Sequence, residues 1–366
     1  MEKTTIRFSR KDSTDFFKTL NKRVNTYFKE NKIKKTGNWK LHLKTAIMFA
    51  IFLAPYFAIL TLGLPNWANL ILAAIMGVGM AGVGMNVMHD GNHGSYSNKK
   101  WVNKLMGGSI YILAGNVYNW QVQHNVLHHT YTNIQGHDED LDAGRILRFS
   151  KHAEWRKYHK FQHYYSIFLY GLLTFNWAIT TDFQQMYRYT KRKLSYGEFP
   201  NPVANWSKLV IFKLIYLTLW IVIPFIILDI SWWKLLLGFF VMHYVAGVIL
   251  SVVFQLAHVI DDAETPLPDD KGNIKNTWAI HQLLTTVNFG NKSKIINWFT
   301  GGLNHQVEHH IFPNISHIHY TKIGEIVKQT AKEFNLPYNE YKTTRKAIIS
   351  HFKHLKELGK KPALQY

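Results

Sequence analysis

The chain has 366 residues, 47% of them hydrophobic, with 43 Lys and Arg against 23 Asp and Glu, 20 histidines and no cysteine. The missing cysteine excludes disulfides, thiolate zinc sites and all-cysteine iron–sulfur clusters, so any metal chemistry must use imidazole and carboxylate. A mean hydropathy of -0.13 would suit an ordinary soluble protein, but it averages over a segregated chain whose apolar residues lie in a few long runs.

Residues 1–40 are polar, carry twelve Lys or Arg and contain nothing resembling a signal peptide. Residues 1–42 are therefore read as a basic cytosolic segment. An apolar run from 43 to 64 and, after Pro65-Asn66, a second from 67 to 88 are each long enough to cross ~30 Å of hydrocarbon as a helix. So short a link makes them an antiparallel hairpin. The stretch Leu105–Tyr118 is apolar but holds Gly107, Gly108 and Gly115, and is read as dipping into the interface. Tyr164–Thr180, interrupted by Gly171 and Asn176, is read as an interfacial helix, because a fifth span would invert the hairpin that follows. That hairpin comprises runs 209–228 and 233–259, joined by Asp229-Ile230-Ser231-Trp232.

Both short turns lack Lys and Arg, whereas segments 1–42, 94–206 and 271–366 are rich in them. The positive-inside rule puts these segments in the cytosol and both turns outside, with Trp67, Trp232 and Trp233 at the outer aromatic belt. The expected fold is all-α and integral to the membrane: four transmembrane helices as two hairpins, interfacial helices and a cytosolic helical cap. The membrane domain is taken as 43–313 and the residues 314–366 as a cytosolic helical tail.

The histidines fall at one face of this topology. His89 and His93 follow directly from the second run, at the i, i+4 spacing that lets two imidazoles on a helix reach one metal region. His124, His128 and His129 repeat the spacing with an adjacent histidine, as do His305, His309 and His310. Neighbouring helical residues point about 100° apart, so His128 and His129 suit two neighbouring ions better than one. His258 stands alone at the cytosolic end of the last run. A lone histidine is usually a surface or satisfied core residue, and His42, His137, His152, His159, His163, His317, His319, His351 and His354 are read that way. His243, fifteen residues before His258, is about 22 Å away along a helix, too far to share the site.

These boxes, in this order, resemble the membrane fatty-acid desaturase family, from the first span to about Pro313. Gly301-Gly302-Leu303-Asn304, then Gln306-Val307-Glu308-His309-His310 and Phe312-Pro313, resembles the front-end, Δ5/Δ6 branch. The stretch His124–Asp142 resembles bacterial desaturases of the linoleoyl type. The resemblance implies two non-haem irons held by His89, His93, His124, His128, His129, His258, His309 and His310. The branch has Gln306 at the head of its third box, while this chain also offers His305, and the reading leaves both in play. It further implies dioxygen as co-substrate, a cis double bond introduced into a fatty acyl chain carried on CoA or on a lipid, and an active site facing the cytosol of a bacterial inner membrane. Front-end enzymes often carry a fused cytochrome b5 domain with a His-Pro-Gly-Gly motif; this chain has none, so the expected donor is a separate ferredoxin or cytochrome b5 type protein.

Ligating imidazoles normally donate their other N–H to a carboxylate or carbonyl, which makes Asp90, Asp138, Asp140, Asp142, Asp261, Asp262 and Glu308 candidates for orienting them. Trp278, His281, Gln282, Thr285 and Asn288 are candidates for lining a substrate entrance or for packing. The basic segments are read as meeting anionic lipid headgroups, and no nucleic acid is expected as a partner. The rival readings are a related di-iron hydroxylase or oxygenase, which would leave an added oxygen in its product, a metal transporter and a lipid-binding structural protein.

Overall fold

The computed structural model describes residues 6–10 and 15–362; the expected cytosolic position of Lys11 lies outside them. Among the described residues four helices are long and apolar enough to cross a membrane: Trp39–Thr61, Asn66–Asn92, Pro202–Ile227 and Trp232–His258. They follow the four apolar runs in number and order but start earlier, the third at Pro202 where the run begins at 209. The reason is capping. Asn38 accepts the Lys40 amide at 2.9 Å, and Asn201 accepts those of Val203 and Ala204 ahead of a helix that opens on proline. Tyr164–Thr180 is no fifth candidate span. It falls in a helix broken into Gln162–Tyr170, Leu173–Asn176 and a π-helical turn, Trp177–Thr181.

The chain divides into two compact units. The membrane unit takes Gly37–Val126 and Ile167–Val252; the terminal unit takes the described parts of Met1–Thr36, Leu127–Ser166 and Val253–Tyr366. The boundaries at 42 and 313 read from the sequence are not where these units divide.

In the membrane unit small residues let helices close on one another. A Cβ at Gly79 would sit 2.4 Å from the Phe52 nitrogen of the first span, and one at Gly77 would sit 2.5 Å from the Met242 carbonyl of the fourth. Without water in the hydrocarbon, close backbone packing of this kind replaces the hydrophobic drive that joins helices in solution. The broken helix is held by buried polar groups. Lys213 of the third span pairs with Asp182 at 2.7 Å and donates to the Trp177 carbonyl, while His243 meets Tyr216 Oη at 2.5 Å and Thr174 Oγ1 at 3.0 Å.

The terminal unit is a water-soluble type of core. The helix Phe16–Glu30 buries Phe16, Leu20, Val24 and Phe28, at a spacing of four that makes one stripe, against Leu283, Val307, Ile311, Ile323 and Val327. Each such side chain stabilises by roughly 1.5–3 kcal/mol when fully buried. Both ends of the chain thus build the floor beneath the third histidine box. Two short parallel pairings, Arg7–Phe8 with Asn273–Ile274 and Asn288–Phe289 with Glu340–Tyr341, tie the loops down.

Candidate metal centre

Box one is placed by a change of helix type. The α-helix Asn66–Val83 passes through a π-helical turn, Gly84–Met88, before His89–Asn92, and such an insertion re-aims the side chains beyond it. The His93 amide still donates to the His89 carbonyl at 3.1 Å, and the two ring centres are 4.6 Å apart. Box two was expected on an ordinary α-helix; it lies instead on a π-helix, Gln121–His128, followed by a turn of α-helix. His124 joins His89 and His93, with a ring nitrogen of each within 4.8 Å of the others, and His124 and His128 also share a group with Asp140. Trp120 lies over His124 at 4.5 Å between ring centres and meets His89 and His93 edge-on.

Asn92 connects these two boxes within the membrane unit. Its Nδ2 donates to the Gly107 carbonyl, its Oδ1 accepts from Gln121 Nε2 and its carbonyl accepts from Asn125 Nδ2, each at 3.1 Å. A Cβ at Gly91 would lie 2.4 Å from the Gly107 nitrogen, so glycine is required for the approach.

The terminal unit gathers His128, His258 and His310 in one group and His129, His309 and His310 in another, with nitrogens again within 4.8 Å. The Nε2 atoms of His129 and His309 are 3.0 Å apart, the separation of two neighbouring ligands that each stand ~2.1 Å from one ion. Four of these five imidazoles present Nδ1 to the protein. His128 Nδ1 meets both oxygens of Asp138, at 2.9 and 3.0 Å; His310 Nδ1 meets Gln282 Oε1 at 2.8 Å; His258 Nδ1 meets the Thr285 carbonyl and His309 Nδ1 meets Tyr320 Oη, each at 3.3 Å. An N–H donated from Nδ1 directs the lone pair to Nε2, the tautomer a metal needs. Burial pushes the Asp138 carboxyl well above the usual range, as does the charge of Asp140, and the amides of Asn133, Asp140 and Leu141 pull it back. Three imidazoles in the membrane unit and five in the terminal unit, with no thiolate in the chain, are donors that could hold metal ions.

Residues 65–342 match the family described as fatty acid desaturase. The chain belongs to that family. It is 37% identical over 99% of its length to an sn-1 linoleoyl-lipid 6-desaturase of Arthrospira platensis, covering 97% of that protein. It is 33% identical to the protein of the same description from Synechocystis, over 97% of this chain and 98% of the other. An acyl-lipid (8-3)-desaturase of Physcomitrium patens is also 33% identical, over 98% of this chain and 74% of the other. The protein is thus an oxidoreductase that desaturates fatty acyl chains.

The remaining candidates of this desaturase divide sharply. Trp278, His281 and Gln282, candidates for a substrate entrance or for packing, pack against box two. Trp278 Nε1 donates to the His129 carbonyl at 3.0 Å, His281 Nε2 to the Thr132 carbonyl at 2.9 Å, and Gln282 Nε2 to the His129 carbonyl at 3.3 Å. Burial holds His281 neutral, with its pKa lowered to about 4. Glu308 does not face an imidazole of either group. Its oxygens accept from Tyr338 Oη and Asn288 Nδ2 at 2.9 Å, Asn288 also accepts the Val307 amide, and so the carboxylate anchors the box-three helix from behind. Asp262, expected near His258, is exposed and its carbonyl accepts from Asn339. Asp90 is buried and coupled electrostatically to Lys44. His305 stands at the N-cap position of the box-three helix without a side-chain capping bond, its Nδ1 3.5 Å from Glu308, and belongs to none of the histidine groups; Gln306 is buried in the first turn. His243 and the nine histidines set aside in the sequence also lie outside the groups.

The sequence reading missed Trp120, Asn92, Thr132, Asn133, Tyr320 and Tyr338. Thr132 Oγ1 donates to the His128 carbonyl and to Gln282. Asn133, at a positive φ of 59°, gives its amide to Asp138 and its Nδ2 to the His258 carbonyl. Tyr320 was within reach of sequence reasoning through the Gly301-Gly302 pair. Both glycines have positive φ, and a Cβ at Gly302 would come within 2.9 Å of Tyr320 and His317.

Proposed function

We propose that the protein is an integral-membrane acyl-lipid desaturase with two irons held by His89, His93, His124, His128, His129, His258, His309 and His310. The overall reaction takes one dioxygen, two electrons and two protons, removes one hydrogen from each of two adjacent methylenes, and yields a cis double bond and two waters. Bound there, the irons supply the oxidant that an unactivated C–H bond requires. The chain's residues supply position. Asp138, Gln282, the Thr285 carbonyl and Tyr320 hold four imidazoles in one tautomer, and Trp120 covers the other set with a ring that keeps water away.

The single observation that carries this reading is that eight histidines from three spaced boxes and one span end fall into groups with ligand spacing. The relatives' names, linoleoyl-lipid and acyl-lipid desaturases, support an acyl chain carried on a lipid. The sixth carbon is the favoured position, on the names of the two cyanobacterial relatives. The two spans of each pair form antiparallel hairpins whose short turns lie outside, which leaves the histidine ends in the cytosol of a bacterial inner membrane; the charge asymmetry supports this. A ferredoxin or cytochrome b5 type protein delivers the electrons to the basic cytosolic segments. Of the two heads of box three, Gln306 is the one assigned to the iron, because His305 is turned to the carboxylate that anchors its helix.

Expression in a host supplied with linoleoyl lipids, followed by mass-spectrometric location of double bonds and iron analysis, tests the whole reading. Two irons per chain and a new cis alkene are expected. A hydroxylated product, or one iron after anaerobic reconstitution with excess ferrous iron, overturns it.

A further inference from the structure

The membrane unit contains an apolar cavity of about 290 Å³ that none of the histidines lines. All four spans contribute to it. Met76 and Met242, both nearly fully buried, close its inner end, with Tyr56 and Trp220 packed edge to face at 4.8 Å along one wall. The space is large enough to take a stretch of acyl tail. Its other end is polar: Asn66, Asn69 and Lys234 line it, and Asn69 has a buried Oδ1 that accepts no hydrogen bond.

That polar end lies at the level of the exposed indoles Trp67, Trp232 and Trp233, the residues that mark where hydrocarbon gives way to headgroups. His89 is twenty-three residues from Asn66 along the same helix, ~35 Å away and more than the ~30 Å thickness of the hydrocarbon. A lipid with its head at this mouth therefore sits at the opposite end of the span from His89 and does not deliver its chain there.

We propose that this cavity is a second lipid site: a resident bilayer phospholipid places an acyl tail between the four spans and its anionic phosphate against Lys234. The inference rests on the chain crossing the bilayer and not on the metal centre. The tail meets apolar and aromatic walls, Lys234 is the charged residue among those lining the cavity, with Asp229 between the lining residues Leu228 and Ile230, and Asn69 Oδ1 accepts from a hydroxyl of the head.

Gly238 lines the cavity, and a Cβ added there meets no atom within 4 Å, so Gly238→Phe fills the space with little strain. The full-length protein is reconstituted in nanodiscs of equal phosphatidylglycerol and phosphatidylcholine, extracted in mild detergent and weighed by native mass spectrometry. The wild type should retain one phosphatidylglycerol, Gly238→Phe none, and Lys234→Gln should lower the preference for the anionic lipid about fivefold, the effect of one charge near a membrane surface. Iron content and turnover should be unchanged in both variants. Equal lipid retention in Gly238→Phe overturns the site. A raised KM for the acyl substrate in that variant also overturns it, by assigning the cavity to the substrate. Should the variant not fold, a diazirine-tailed phosphatidylglycerol on the wild type decides independently: labelling at Met76 and Met242 supports the site, and labelling elsewhere refutes it.

Discussion

The two units orient their histidines by different physics. In the membrane unit, His89, His93 and His124 stand on helices, and their directions come from π-helical insertions, the indole of Trp120 and the amide of Asn92. In the terminal unit, four of five imidazoles are held by a named partner at Nδ1: a carboxylate, an amide, a carbonyl and a phenol. The difference follows from the surroundings. A helix packed among apolar spans satisfies its own backbone, so helix register contributes to the aiming. Loops and short helices bring unlike polar groups together and aim by hydrogen bonding.

The comparison can be broken at each of its supports. His309→Ala should have the largest effect, abolishing turnover by about three orders of magnitude and releasing iron, as read by gas chromatography of fatty acids and elemental analysis. Gln306→Ala should lose most activity while His305→Phe keeps both activity and iron; the reverse result would give box three an all-histidine set. Asp138→Asn keeps the shape but weakens the hold on His128, and iron affinity should fall ten- to a hundredfold in chelator competition. If the membrane unit truly aims its ligands by packing, Asn92→Leu should cost about tenfold in turnover and Trp120→Phe only a few-fold. Comparable losses in Trp120→Phe and Asp138→Asn would erase the contrast.

A separate effect, on stability and not on turnover, concerns acid. Burial lowers the pKa of His351, whose Nδ1 donates to the Val259 carbonyl at 2.7 Å, to about 4, as it does for His281. For a histidine lowered when folded, the unfolded state binds the proton first, so its cost is absent above pH ~6.5 and grows down to pH ~4, reaching about 3 kcal/mol per residue. Thermal unfolding in detergent should therefore move to lower temperature across that window. His351→Gln should flatten the slope.

How much could be read beforehand depended on the range of the interaction. Hydrophobic runs as long as a bilayer is thick can hardly be anything but candidate spans, and imidazoles at i, i+4 with no cysteine in the chain point to metal wherever they occur, so the number and order of the four long apolar helices were legible, while their starts were not. The supports were not. Asp138 was one of seven carboxylates near a box, and only the loop that turns at Asn133 selects it; Asp262 looked equivalent and is exposed. Trp278 and Gln282 lie some 150 residues from the His129 carbonyl they support.

The sequence by itself determined what kinds of donor this protein can offer a metal and which stretches are long and apolar enough to cross hydrocarbon, because both are properties of residue type and local spacing. Only the tertiary structure decided which histidine joins which group. The placement of box two turns on a π-helix that no local periodicity announces, and the choice of tautomer turns on partners from distant segments, which become neighbours only when both ends of the chain close over one core.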